Sequence, residues 1–133
     1  SMTERIRHFA AIEVLSGGLG RIEPAWVMEF SSLPRQLPVM VLWGGAADWL
    51  GVDFNDASIR YRDALVNDGH FVVSCTHDSG HSIPPIDAPP GQTRFTALWR
   101  FMLDHPYDLQ PRDSPYLANG LPDVFPNWCE IPQ

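Results

Sequence analysis

Three stretches of the chain are continuously apolar and short. Phe9-Ala10-Ala11-Ile12-Glu13-Val14-Leu15 is one, broken only by Glu13 and stopped by Ser16-Gly17-Gly18. Pro38-Val39-Met40-Val41-Leu42-Trp43 is the second, stopped by Gly44-Gly45, and His70-Phe71-Val72-Val73-Ser74-Cys75 is the third. Runs of this length without polar alternation predict strands covered on both faces, the pattern of a parallel sheet. Between the second and third, Asn55 or Asp56 can cap a helix running through Asn67, with Gly69 at the position after the cap. Thr93–Asp104 predicts a further helix, with Phe95, Leu98, Trp99 and Met102 at i, i+3, i+4 and i+7 on one apolar face. On that pattern Trp99 belongs to the core. Met2–His8 is charged and predicts a short helix.

Gly and Pro punctuate Leu19–Pro38, which reads as a long loop. Pro84, Pro85, Pro89 and Pro90 forbid regular structure in another. The segment 105–133 is rich in proline and aromatics and reads as a tail packed on the rest. The predicted class is therefore α/β: one domain over residues 1–133, with a parallel sheet of about three strands and flanking helices. Strand, helix and strand joined by short connections require a right-handed crossover.

Length and charge narrow the function. At 133 residues, 44% apolar, the chain can bury a core. A net charge of −7 argues against a nucleic-acid surface. No run approaches the roughly 18 apolar residues of a membrane span, and none resembles a signal-peptide core. Cys75 and Cys129 lack the spacing of a zinc or redox motif. They are either two free thiols or a disulfide pinning the tail to a strand, the latter implying an oxidising compartment.

The reactive side chains fall in the two loops that follow the second and third strands. Functional loops of open α/β sheets lie at the carboxyl ends of strands. Gly44-Gly45-Ala46-Ala47-Asp48 supplies a carboxylate, with Asp53 as the rival acid. His77-Asp78-Ser79-Gly80-His81 supplies a base. A histidine general base needs a carboxylate to fix its tautomer and stabilise its charged form, and adjacent strands can bring Asp48 to His81. His77 and His81 are four apart, a metal-ligand spacing on a helix. Ser79-Gly80 and the prolines make this segment a loop without a third ligand, so no metal and no cofactor is expected. Asp48, Asp53 and Asp56 do not fit a calcium loop. Trp43, Trp49 and Trp99 are candidate pocket aromatics, and Trp49, beside Asp48, is the best placed.

These segments resemble the α/β-hydrolase family. Pro38–Asp48 is similar to its strand ending in the triad acid, which falls on Asp48. Asn67–Val72 followed by Gly80-His81 is similar to its last strand and catalytic-histidine loop. Ala10–Gly18 resembles the strand after the nucleophile-elbow helix in esterases and polyhydroxyalkanoate-depolymerase-like hydrolases. His105-Pro106-Tyr107, Ser114-Pro115-Tyr116 and Phe125-Pro126-Asn127-Trp128-Cys129 resemble the tail of a secreted or lipoprotein-type bacterial subgroup.

The resemblance implies a fragment of a serine hydrolase acting on an ester, polymeric or aryl, in a secreted or periplasmic setting. The fragment would supply Asp48 and His81 as triad acid and base. It has no G-x-S-x-G. The elbow is expected about ten residues upstream of Met2, which would make Met2 an internal methionine and the fragment inactive alone. The alternative is a non-catalytic α/β module that dimerises, or binds a partner chain, through the open edge of strand 10–15. Glu13 on that edge would discourage aggregation.

Overall fold

The protein is described by a computed structural model covering residues 9–86, 90–91 and 93–133. The helix expected over residues 2–8 lies outside the described residues. In chain order the elements are β1 (Ile12–Leu15), β2 (Arg21–Ile22), β3 (Trp26–Val27), β4 (Pro38–Trp43), α1 (Phe54–Asn67), β5 (Phe71–Thr76), α2 (Thr96–Asp104), α3 (Pro115–Asn119) and β6 (Cys129–Glu130). β2 and β3 form a separate antiparallel hairpin inside the expected long loop. The hairpin is tied down where Arg21 pairs with Asp56 and Arg60 donates to the carbonyls of Leu19 and Met28.

The main sheet has the order β1-β4-β5-β6. β1, β4 and β5 are parallel, and β6 adds antiparallel to β5. The fold class is thus α/β as expected, but the sheet is mixed and four-stranded. The tail turns back along β5 and places Cys129 directly opposite Cys75, where the two form a disulfide. That resolves the open choice between free thiols and a bridge.

Every residue of β4 is buried, so its apolar run is covered on both faces. Period-two alternation splits that run between two cores. Val39, Val41 and Trp43 pack with Val72, Leu37 and Leu65 under α1. Met40 and Leu42 pack with Phe71, Val73, Cys75, Ala97, Leu98, Phe101, Tyr116 and Phe125 on the other side. Each buried Val, Leu, Phe or Met among them contributes about 1.5–3 kcal/mol by leaving water. The tail is therefore part of the core as well as a wrapping. Among the described residues β1 pairs only with β4, and it is half-buried, not covered on both faces.

Two helix expectations need correction. α1 is capped by Asp53, whose side chain accepts the backbone N–H of Asp56. A cap at Asn55 or Asp56 is thus two or three residues too late. α2 begins at Thr96, and it buries Ala97, Leu98 and Phe101. Trp99 is 66% exposed, and Phe95 and Met102 are exposed as well, so Trp99 is not a core residue. Residues 95–103 are apolar almost all round, so periodicity alone does not choose a face. The face that turns inward carries Ala97, Leu98 and Phe101, which join the core cluster with Met40, Leu42 and Val73. No helix among the described residues is long and apolar enough to cross a membrane.

Candidate functional site

The carboxyl ends of β4 and β5 are locked together by backbone contacts. Gly80 N–H donates to the Gly44 carbonyl at 2.9 Å, and His77 N–H donates to the Trp43 carbonyl at 3.1 Å. A Cβ on Gly44 would lie 1.9 Å from the Gly80 oxygen, so only glycine fits there. The two loops therefore carry Asp48 and His81 at a fixed separation.

Asp48 is fully buried, at 0% exposure. Its Oδ1 lies 2.8 Å from Nδ1 of His81. Its Oδ2 accepts the Gly44 N–H at 2.7 Å and the Ser16 hydroxyl at 2.8 Å. The backbone is fixed too, since the Asp48 carbonyl accepts the N–H groups of Phe54 and Asn55 at the start of α1. Burial pushes the Asp48 pKa up. The Gly44 N–H, the Ser16 hydroxyl and His81 outweigh burial and hold it below the usual carboxylate value. A carboxylate accepts and cannot donate, so the His81 proton sits on Nδ1.

That leaves Nε2 of His81 as a base, with no hydrogen bond among the described residues. The ring stacks on Phe54, with centroids 4.7 Å apart and planes at 20°. His81 opens onto a groove of about 510 Å³ walled by Leu15, Leu42, Ile83, Pro84 and Phe95, with Ser16 and Ser82 as polar neighbours. A cleft of about 570 Å³ lies elsewhere, between α1 and residues 130–133. It contains no histidine or nucleophile, so it is the less reactive of the two. Among the described residues, no hydroxyl or thiol hydrogen-bonds His81.

The other candidates fall outside this arrangement. Asp53 is exposed and occupied as the α1 cap, so Asp48, not Asp53, meets the histidine. Trp49 is 64% exposed and does not line the groove, and Trp43 is buried with its indole N–H on Asn55. His77 is buried edge-on to Trp128 and accepts the Ser79 N–H on Nδ1, which puts its proton on Nε2. That Nε2 is buried without a hydrogen-bond partner among the described residues, and burial lowers the His77 pKa. No cluster of three or more His, Cys, Asp and Glu side chains among the described residues can hold a metal.

Sequence reasoning missed Phe54, Ile83 and Phe95 as neighbours of the base, because each arrives from a different element. It also missed Ser16. The Ser16-Gly17-Gly18 turn at the end of β1 was its one visible signal. Comparison with protein families, with curated proteins and with solved structures gives no match for this chain.

Proposed function

We propose that this chain supplies the acid and base of a serine-type ester hydrolase, as the C-terminal part of an α/β-hydrolase fold. The observation that carries the reading is the Asp48–His81 pair itself. A buried, ionised carboxylate holds one imidazole nitrogen and leaves the other free at a groove. In such a pair the free Nε2 takes the proton of an attacking hydroxyl, and the carboxylate stabilises the imidazolium that results. The same proton then goes to the departing alkoxide, and water repeats the cycle on the acyl intermediate. The serine would come from a segment laid along the edge of β1 that no described strand pairs, whose end reaches the groove at Leu15 and Ser16. The amides for the oxyanion would come with it.

The test is to express the longest open frame that contains this chain and assay it on short aryl esters. Esterase activity with a G-x-S-x-G upstream, falling by about 10⁴ in His81→Ala, is the expected result. Activity unaffected by His81→Ala, or a frame that closes without such a serine, overturns it.

The same edge favours a second reading, a non-catalytic module that dimerises through β1. Glu13 weighs against it, since a strand added there would bury further a carboxyl whose Oε1 has no hydrogen-bond partner among the described residues. Sedimentation of the purified chain separates the two, with a stable symmetric dimer supporting the module.

A further inference from the structure

Ser16 is the first residue beyond β1, and its φ of +43° places it in the left-handed region. Any side chain with a Cβ is strained there and glycine is not. Strain of this kind persists where the surroundings over-determine it, and it often marks a functional position. The surroundings here do so. Ser16 N–H donates to the Leu42 carbonyl at 2.7 Å, and the Gly17 carbonyl accepts the Ser58 hydroxyl at 3.0 Å. A Cβ on Gly18 would lie 2.6 Å from the Ala57 oxygen, so the turn is pressed against α1. Glycine at position 16 would make the same turn without strain. What serine adds is a hydroxyl, and that hydroxyl donates to Oδ2 of Asp48 at 2.8 Å.

We propose that Ser16 is a positioning residue for the Asp48–His81 pair. The Gly44 N–H and the Ser16 hydroxyl together occupy Oδ2. Two donors on one oxygen fix the plane of the carboxylate and leave Oδ1 to His81 alone. The imidazole is thereby held in the Nδ1–H form with Nε2 toward the groove. Gly44 acts from the β4 loop, whereas Ser16 acts from β1. The edge strand thus has a direct hold on the acid–base pair, and a chain segment that docks on β1 would touch the element that orients the base.

The catalytic meaning of this role rests on the hydrolase reading, but its structural content can be read on the chain alone. Nitrogen NMR of the imidazoles, recorded at about pH 8 where neutral histidine dominates, reports which ring nitrogen carries the proton. His81 in the wild type is expected in the Nδ1–H form. Ser16→Gly deletes the hydroxyl and relieves the backbone, whereas Ser16→Ala deletes the hydroxyl and keeps the strain. Both variants should lose about tenfold in the ratio of Nδ1–H to Nε2–H, the factor for one hydrogen bond to a charged group. Ser16→Gly should nevertheless unfold at a higher urea concentration than Ser16→Ala, because both lack the hydroxyl and only the alanine variant keeps the strain. A purely structural role would make the tautomer follow stability, so that Ser16→Ala loses it and Ser16→Gly keeps it. That outcome, an unchanged tautomer in both variants, or a wild-type His81 in the Nε2–H form overturns the proposal. None of these readings involves substrate, so they stand apart from success or failure of the esterase assay.

Discussion

Glu13→Gln isolates the carboxyl that sits least comfortably in the sheet. Glu13 lies on β1 opposite Met40, half-buried, with Oε1 buried and without a hydrogen-bond partner among the described residues. Burial pushes its pKa from the ordinary 4.5 up to about 7. An acid whose folded pKa is raised takes up a proton on folding. Its penalty is absent below the unfolded value, grows as pH rises toward about 7, and is constant above that. At about 1.4 kcal/mol per pH unit the ceiling is about 3 kcal/mol. Glu13 is partly exposed, and solvent screening brings the expectation to about 1–2 kcal/mol.

The stability curve of the wild type alone would not display this. His77 and His105 are buried, and burial lowers both pKa values. Their contribution runs the other way, present above about 6.5 and lost as pH falls. The difference between wild type and Glu13→Gln cancels both. Urea unfolding followed by tryptophan fluorescence from about pH 5 to pH 8 should show the variant gaining about 1–2 kcal/mol relative to the wild type across that range. With a slope of about 2 kcal/mol per molar, the midpoint moves by about 0.5–1 M. The buried amide of the variant is a cost independent of pH, so it shifts the offset and not the trend. A difference that stays flat from pH 5 to pH 8 refutes the argument.

Two further outcomes follow from the packing. Cys75 and Cys129 are 54 residues apart, so reduction or a double Cys→Ser variant should cost about 4 kcal/mol by loop entropy, measured by urea unfolding with and without a dithiol reductant. Phe101→Ala should cost about 3–5 kcal/mol, while Trp99→Ala should fall within about 0.5 kcal/mol of the wild type. A large loss at Trp99 would restore the face read from helical periodicity.

The central frame was legible in the sequence because several constraints agreed. β4 is a six-residue apolar run ending in Gly44-Gly45. The helix and strand that follow permit one crossover, and that crossover sets the Asp48 loop beside the His81 loop. The meeting of Asp48 with His81 follows from connectivity and needs no knowledge of side-chain packing. β6 was not legible, because two residues, one of them Glu130, carry no strand signal. Their pairing with β5 is accompanied by the Cys75–Cys129 disulfide and by the Thr76 N–H donating to the Trp128 carbonyl. The buried face of α2 was not legible because apolar residues surround that helix. Ser16 stayed hidden because its partner is 32 positions away in sequence. Asp53 shows the converse, a residue whose type suited two roles and whose local position before α1 settled the matter.

The contact of Gly44 with Gly80 has a consequence for how this site can change. The separation of Asp48 and His81 is set by main chain against main chain, at a point where no side chain fits. The walls of the groove come from Leu15, Ile83 and Phe95, none of which takes part in that contact. Substitutions there can reshape what the groove admits while the proton-carrying pair keeps its geometry. Diversification by mutation, in nature or in a directed library, would thus find many tolerated solutions along the walls and almost none at position 44.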